Sequence, residues 1–193
     1  MTGKSRSYLR RLDGSAYGGL NIVHWTHTVD RRATGWLDDR FHRRFREVMT
    51  HACFVYRLWC PGYCLMLDHI HLIWMGTAGS SVQGKATKWF RRQVNALLNE
   101  RGVAFQRQAH DRVLRPEDRK RFAFEDLVRY VLDNPSRAGL IDRESGSGQW
   151  PYRGAVLPGY PDFSERAPFS DETWDLFWKL YYHAVGEGTS SQD

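Results

Sequence analysis

The chain of 193 residues suits one domain with a short extension and is too short for two full domains. Its 28 lysine and arginine residues outnumber its 22 aspartate and glutamate residues, which gives a net charge of +6 and favours a polyanionic partner. The three cysteines are an odd number with no hydrophobic leader before them, and no apolar run reaches the roughly 18–20 residues that a membrane span needs. We therefore expect a reduced, cytoplasmic protein that does not enter a membrane.

The first part of the chain alternates basic and apolar patterns. Residues 1–19 carry lysine and arginine among glycine and serine, which is typical of a solvated basic arm. Residues 21–29 are rich in β-branched and aromatic side chains and predict a strand. Apolar residues then recur at helical spacing over residues 41–52, after Asp38 or Asp39, either of which can cap a helix.

The middle of the chain predicts a hairpin and a second helix. Two apolar segments, at 54–59 and 63–74, flank Pro61 and Gly62, which we interpret as the turn of an antiparallel hairpin. A helix follows to about residue 100, with Ser81 as its cap. This helix carries basic residues on its outer side, namely Lys85, Lys88 and Arg92.

The last third of the chain adds a strand, two helices and a long loop. Residues 104–114 predict a strand or an extended connection, and a helix follows Pro116. The stretch 144–168 is rich in glycine, proline and serine and predicts a surface excursion with little regular structure, pinned by Trp150 and Tyr152. A final aromatic helix precedes a disordered tail. This order predicts an α+β protein, a small antiparallel sheet with helices packed on one face, of ferredoxin-like type.

Two histidines alternate with apolar residues in LDHIHL at 67–72. Side chains two positions apart lie on the same face of a strand, so His69 and His71 can share one divalent ion. Each neutral ring can offer one nitrogen, and a bound ion can polarise a phosphate oxygen. The competing interpretation is a pair of partly buried hairpin histidines, and spacing alone favours neither.

Tyr130 is a candidate nucleophile on the helix that follows Pro116. Apolar neighbours form the buried stripe of this helix, which leaves Tyr130 on its flank with Asp126 and Asn134 one turn away on either side. Pro135 disfavours a helical conformation at Asn134, which therefore ends one helix or caps the next. The carboxamide oxygen of Asn134 can coordinate a hard cation. The alternative is a tyrosine at the edge of the core.

Three motifs together resemble the HUH-type single-tyrosine transposases, and within that superfamily the REP-associated branch. They are LDHIHL at 67–72, HDRVL at 110–114 and YVLDNPSRAGL at 130–140. The third motif is the most specific, and the resemblance spans about residues 21–153 with the motifs in the expected order. The first strand matches the family only loosely, and the stretch after Trp150 is hard to align.

The resemblance implies an HUH nuclease domain with a metal-dependent activity on single-stranded DNA. Its tyrosine attacks the scissile phosphate, forms a 5′-phosphotyrosine and frees a 3′-hydroxyl, and strand transfer is the reverse attack. By position Tyr130 is the nucleophile, and the metal ligands are His69, His71 and Asn134. Mg²⁺ or Mn²⁺ is the expected metal. The expected substrate is single-stranded DNA with a REP-like hairpin, and we expect a monomer, with a dimer as the alternative.

Other residues are assigned to DNA contact or to support of the site. An aspartate can orient an imidazole, so His110 and Asp111 are predicted to support the site, with a structural role as the alternative. Backbone contacts with DNA are expected from Lys85, Lys88, Arg91, Arg92, Arg112 and Arg137. We expect a basic arm at 1–19, the nuclease domain at 20–153 and an extension at 154–193.

Two other functions fit the same residues. A non-catalytic DNA-binding regulator on this scaffold would have no need of Tyr130 or of the two histidines. A metal phosphohydrolase that uses water would turn over without a covalent adduct and would tolerate Tyr130→Phe.

Overall fold

The computed structural model describes residues 12–141, 150–164 and 169–187, which build one antiparallel sheet of five strands. The strands are β1 (Ile22–Thr28), β2 (Leu58–Leu65), β3 (His69–Gly76), β4 (His110–Val113) and β5 (Arg153–Val156). Their spatial order is β4-β1-β3-β2-β5, and every neighbouring pair is antiparallel.

Five helices accompany the sheet in the described residues. They are α1 (Asp39–Val55), α2 (Gln83–Asn99), α3 (Arg121–Leu132), α4 (Asn134–Arg137) and α5 (Asp171–Glu187). The first four strands with α1 and α2 follow the chain order strand, helix, strand, strand, helix, strand, which is the ferredoxin-like arrangement. The predicted α+β class is confirmed, and β5 extends the sheet at its β2 edge.

The first face of the sheet, covered by α1 and α2, is apolar. Alternate residues of β3, among them Leu72 and Trp74, are fully buried there against Phe45 of α1 and Phe90 of α2. The rings of Trp74 and Phe90 meet edge to face with centroids 5.5 Å apart. Full burial of a side chain of this size stabilises the fold by about 1.5–3 kcal/mol, so this layer is a main source of stability.

The second face of the sheet is covered by α3 and α5. Ile73 and Met75 of β3 pack there with Val128 of α3 and Phe177 of α5. The prediction that the helices lie on one face is therefore wrong. The physical reason is visible in the continuous apolar run at 72–75, because a strand that is buried on both faces loses the alternation of polar and apolar residues.

Helix α1 begins where the sequence predicts and ends later. Asp38 is its N-cap, and its carboxylate accepts a hydrogen bond from the Phe41 amide at 2.7 Å. The helix continues to Val55, and Arg57 then reverses the chain with a φ of 52°. The predicted strand at 54–59 is thus wrong in its first residues, because Phe54 and Val55 form the exposed last turn of α1 and β2 begins only at Leu58.

The predicted hairpin turn at Pro61 and Gly62 is also wrong. Both residues lie inside β2, where the register with β3 shifts between Trp59 and Gly62 as a bulge. Proline has no N–H to donate, and a bulge is a position where a strand tolerates it. The actual turn connects β2 to β3, where the Met66 amide donates to the His69 carbonyl at 2.8 Å.

Two further predictions at element boundaries need correction. Ser81 does not cap α2, since Val82 is the N-cap, and the Ser81 hydroxyl donates to the Arg57 carbonyl at 2.7 Å. The stretch 144–168, predicted as a surface excursion with little regular structure, instead contains β5, in which Gly154, Ala155 and Val156 are buried. Part of this stretch, 142–149 and 165–168, lies outside the described residues.

Trp150 and Tyr152 pin the chain before β5, as predicted. The Trp150 indole donates to the Leu65 carbonyl at 2.8 Å, and the Leu65 amide donates to the Tyr152 carbonyl at 2.9 Å. Strand β5 crosses the expected division between residues 153 and 154, and α5 contributes to the core of the second face. The structure thus joins the expected extension to the sheet.

The expected basic arm and tail fall mostly outside the described residues, at 1–11 and 188–193. The end of the arm is packed, since Tyr17 is buried and Gly18 forms a β-bridge with Val82. Within the described ranges, none of the helices combines the length and the hydropathy that a membrane span requires.

Candidate active site

The two histidines of the H-x-H motif open β3 and project onto the second face of the sheet. Thr28 and Thr26 of β1 pair with His69 and His71, and Cys64 of β2 pairs with His71 on the other side. Toward the other end of the strand this face is apolar, with Ile73 and Met75 buried. The histidines therefore lie where the second face leaves the core, and both are half-buried.

The two imidazoles converge through the same nitrogen. His69 Nε2 and His71 Nε2 lie 3.0 Å apart, and the rings are nearly perpendicular. Two ligands that meet an ion at a right angle from about 2.1 Å each are about 3.0 Å apart, so this spacing fits coordination of one divalent ion. The residues present thus suit a metal as far as these two ligands are concerned.

Asp68 engages the opposite nitrogen of His69. Its carboxylate oxygen Oδ1 lies 2.5 Å from His69 Nδ1, and Oδ2 accepts from Arg32 at 2.9 Å. Burial raises the pKa of Asp68, but the hydrogen bonds from His69 and Arg32 outweigh burial and leave this pKa below its usual value. A carboxylate on Nδ1 places the ring proton there and leaves the Nε2 lone pair available, which is the arrangement of many metal-bound histidines.

His24 and Thr26 of β1 occupy the other nitrogen of His71. His24 Nε2 and Thr26 Oγ1 each lie 3.2 Å from His71 Nδ1. In the tautomer of His71 that carries its proton on Nδ1, the Nε2 lone pair of His71 faces that of His69. His24 and Thr26 carry no signal of this role in the sequence, because only the register between β1 and β3 places them beside His71.

Burial keeps His71 and His24 uncharged near neutral pH. It lowers the pKa of His71 to about 3, assisted by repulsion from His24 and His69. It also lowers the pKa of His24 to about 4, assisted by repulsion from His110 and Arg112. A neutral imidazole is the form that binds a metal ion, so His71 is in the required state.

Tyr130 lies near the C-terminal end of α3 with 44% of its surface exposed. The Arg137 guanidinium of α4 lies 4.6 Å from the centre of its ring. This contact lies within the range of a cation–π interaction. Tyr130 and Arg137 are thus brought together, and both belong to the motif at 130–140.

Asn134 begins α4 directly after α3, as Pro135 at the start of that helix predicts. Its amide nitrogen donates to the carbonyls of Tyr130 and Val131 at 3.2 and 3.1 Å. The carboxamide oxygen of Asn134 forms no hydrogen bond with the described residues. Since the amide nitrogen is held by the backbone, this oxygen is the atom that can bind a cation.

Two contacts hold α3 on the second face. Gly62 in the bulge of β2 permits a close approach, because a Cβ atom there would lie 2.9 Å from Val128 Cγ1 of α3. The Arg153 guanidinium of β5 donates to the Leu132 carbonyl at 2.6 Å, at the end of α3. A cation at the carboxyl end of a helix is favourable, so Arg153 anchors the end of the helix that carries Tyr130.

The structure does not join all predicted site residues by direct contact. Among the described residues, no hydrogen bond or ring contact links Tyr130 or Asn134 to His69 or His71. No group of three or more histidine, cysteine or carboxylate side chains in the described ranges is arranged to hold a metal ion.

Several predicted DNA contacts and supports have other partners. Arg91 is half-buried, donates to the Gln106 carbonyl and lies 3.1 Å from His27 Nδ1, so it does not belong to the exposed basic face. Asp111 accepts from the Tyr17 hydroxyl at 2.5 Å. Adjacent strand residues point to opposite faces, so Asp111 does not orient His110.

The remaining predicted DNA contacts lie at the surface. Arg112 forms an ion pair with Asp118 at 2.9 Å. Lys85, Lys88 and Arg92 are exposed along α2, which packs on the first face. Arg137 is occupied by the Tyr130 ring.

No protein-family model and no curated protein matches this sequence. At the level of structure, the five-stranded antiparallel sheet with its helices is shared with a solved nucleic-acid complex. That structure is described as the REP-associated tyrosine transposase bound to a REP hairpin. The TM-score is 0.58 and the identity 17%, and the match covers 76% of this chain and 81% of that chain. At this identity the likeness shows a shared fold.

Two more distant matches are bacterial tRNA(His) guanylyltransferase (Thg1)-like proteins. The complex with GTP has a TM-score of 0.36 at 11% identity and covers 67% of this chain and 74% of that chain. The complex with ATP has a TM-score of 0.38 at 12% identity and covers 82% and 76%. These TM-scores are too low to indicate a shared fold.

Proposed function

We propose that the chain is a single-strand DNA endonuclease and strand transferase of the HUH single-tyrosine class. The observation that carries this proposal is the convergence of His69 Nε2 and His71 Nε2 at 3.0 Å, on the sheet face that is covered by the helix of Tyr130. The motif at 130–140 and the excess of positive charge support it.

The proposed reaction is a transesterification at one phosphodiester. The Tyr130 oxygen forms a bond to phosphorus as the bond from phosphorus to the 3′-oxygen breaks. The phenolic proton leaves Tyr130, and the departing 3′-oxygen takes up a proton to become a hydroxyl. The product is a 5′-phosphotyrosine, and attack by another 3′-hydroxyl reverses the step and joins a new strand.

The two histidines are proposed to hold a divalent ion, Mg²⁺ or Mn²⁺. When bound, such an ion neutralises charge on the scissile phosphate. Asp68 keeps the proton of His69 on Nδ1, while His24 and Thr26 fix the ring of His71. These contacts keep both Nε2 atoms directed at one point without any rearrangement.

Asn134 and Arg137 are proposed to complete the surroundings of the nucleophile. The carboxamide oxygen of Asn134 is proposed as a third metal ligand. The Arg137 guanidinium over the Tyr130 ring is suited to stabilise negative charge on the phenolic oxygen when it attacks or departs. The same cation can contact the phosphate that Tyr130 approaches.

We propose a DNA hairpin with a flanking single strand as the substrate. The solved transposase with the same fold is described as bound to a REP hairpin, which supports this choice of substrate. The exposed residues Lys85, Lys88 and Arg92 of α2 are candidates for contact with the DNA backbone. We propose that the protein acts in the cytoplasm as a monomer.

A covalent-trapping experiment tests the proposal. The protein is incubated with end-labelled hairpin DNA and Mn²⁺, and the products are separated on denaturing gels. We expect a protein–DNA adduct in the wild type and its loss in Tyr130→Phe, because only the phenol supplies the attacking oxygen.

The control variant is Tyr182→Phe, which removes another exposed phenol, on α5, and should leave the adduct unchanged. Cleavage without an adduct in the wild type would contradict the tyrosine mechanism and favour a phosphohydrolase. Binding without cleavage would favour a regulator.

A further inference from the structure

A second basic surface lies on α1, and none of the residues assigned to the active site belongs to it. A groove of about 770 Å³ runs between the outer side of α1 and the turn at Pro158 and Gly159, which follows β5. From α1 the groove is lined by Arg43, Arg46, Glu47, Thr50, His51 and Phe54. We call these residues with Pro158 and Gly159 the α1 groove.

The α1 groove is positively charged, and ion pairs with the described residues do not neutralise this charge. Arg43 and Arg46 are exposed, and neither forms an ion pair or a hydrogen bond with the described residues. By contrast, Arg44 on the same helix is neutralised by Glu100 at 2.6 Å. Glu47 is the one carboxylate that lines the groove, so the two guanidinium groups leave an excess of positive charge.

The α1 groove also displays aromatic surface. Phe54 is 75% exposed, which is unusual for a side chain of this size on a helix that buries its other phenylalanines. One turn earlier, the ring of His51 is stacked on Trp89 of α2 with centroids 4.6 Å apart. The groove therefore combines free guanidinium groups with a ring on which a base can stack.

The spacing of these residues suits a linear ligand. Arg43, Glu47, Thr50 and Phe54 follow one another at steps of four, three and four residues and so form one stripe along the helix. Eleven residues of helix span roughly 16 Å. This length corresponds to about four to five nucleotides at the roughly 3.4 Å per nucleotide of a stacked strand.

We propose that the α1 groove binds single-stranded DNA without reading its sequence. Arg43 and Arg46 contact phosphates, and Phe54 stacks on a base. The choice of DNA as the nucleic acid rests on the proposed function. The groove is a separate site, because α1 packs on the first face of the sheet, whereas the histidine pair lies on the second. It would hold the strand beyond the cleavage position rather than the scissile phosphate.

A binding assay without chemistry tests this proposal. The probe is a fluorescent oligothymidylate of about 20 nucleotides, and its anisotropy is measured with EDTA present, so that neither a hairpin nor a metal contributes. The charge variant is Arg43→Glu with Arg46→Glu. We expect binding at least about tenfold weaker than wild type, and a salt dependence shallower by about 1.4, since each phosphate contact on a single strand contributes about 0.7.

The aromatic contribution is tested separately at Phe54. Phe54→Leu keeps an apolar side chain but removes the ring, and we expect binding roughly fivefold weaker or more. Phe54→Trp restores a ring and should bind at least as well as the wild type. Because Phe54 is exposed, both variants should keep the wild-type thermal unfolding.

The matched control reverses two other exposed charges, Lys120→Glu with Lys179→Glu, for the same change in net charge. This control should bind much better than the double arginine variant. Equal loss in both double variants, or no binding of the probe by the wild type, would overturn the proposal. Tyr130→Phe should bind the probe normally, so failure of the covalent reaction and failure of the groove give different results.

Discussion

The two faces of β3 differ in how far the buried core extends along the strand. On the first face Ile70, Leu72 and Trp74 are all fully buried, so this face is core along its whole length. On the second face the strand passes from buried Ile73 and Met75 to the half-buried His71 and His69. Neighbouring residues of β3 therefore differ in role, because they project onto opposite faces of the sheet. Those on the first face pack in the core, whereas His69 and His71 on the second face are candidate functional residues.

The largest loss of stability is expected when a core side chain on the first face is truncated. Phe90→Ala removes a fully buried ring that contacts Trp74 and Phe45, and we expect a loss of about 3–5 kcal/mol in the free energy of unfolding. Urea unfolding measures this loss. Phe122→Ala, at a phenylalanine of α3 that is 77% exposed, is the control and should change stability little. Similar losses in both variants would contradict the assignment of the core.

Substitution of a histidine on the second face should instead weaken metal binding and leave stability almost unchanged. His69→Ala should weaken binding of Mn²⁺ by more than about 100-fold, because it removes a direct ligand and loss of a supporting contact alone costs about 10–100-fold. Thermal unfolding without metal should change little, since His69 is only half-buried. Electron paramagnetic resonance of free Mn²⁺ measures the affinity. His51→Ala, an exposed histidine of α1, should bind Mn²⁺ as the wild type does.

The packing of α3 on the second face should be disturbed by a single methyl group added to β2. Gly62→Ala places a Cβ atom 2.9 Å from Val128 Cγ1, so α3 must move, and we expect a loss of about 1–3 kcal/mol. The rate of adduct formation should fall as well, since α3 carries Tyr130. Gly79→Ala is the control, because its Cβ atom would meet open space. Unchanged stability of Gly62→Ala would show that α3 is not held at this distance.

A further effect concerns acid stability on the first face. Burial lowers the pKa of His42 from 6.5 to about 4, and the ring lies 2.9 Å from the Tyr63 hydroxyl. The unfolded chain therefore binds the extra proton first, and His42 reduces stability as the pH falls from about 6.5 to about 4. His42→Gln should flatten this part of the curve in urea unfolding at several pH values. An unchanged slope would mean that folding does not lower the pKa of His42.

The sequence predicts those parts of the fold that depend on local periodicity. The main bodies of α1, α2 and α3, and the strands β1 and β3, follow from the spacing of apolar residues. The predicted turn at Pro61 and Gly62 is wrong because a proline within a bulge has the same local sequence pattern as a turn. Strand β5 has no such signal, since its pairing with β2 depends on residues distant in sequence.

In the candidate site as well, some features follow from local sequence and others depend on tertiary packing. The H-x-H motif places His69 and His71 on one face from strand geometry alone, and in the structure their Nε2 atoms lie 3.0 Å apart. The contacts of His24 with His71 and of Arg91 with Gln106 come from tertiary packing, which the spacing of residues does not encode. For the same reason the sequence could not separate Arg44, which is paired with Glu100, from Arg43 and Arg46, which have no ion-pair partner among the described residues.

We propose that Tyr130 and the histidine pair form one site. The most direct test labels the tyrosines with 3-fluorotyrosine and follows their ¹⁹F resonances as Mn²⁺ is added, with Tyr130→Phe used to assign the resonance of residue 130. We expect Mn²⁺ to broaden this resonance strongly in the wild type and not in His69→Ala. A Tyr130 resonance that stays sharp while Mn²⁺ is bound would contradict a shared site.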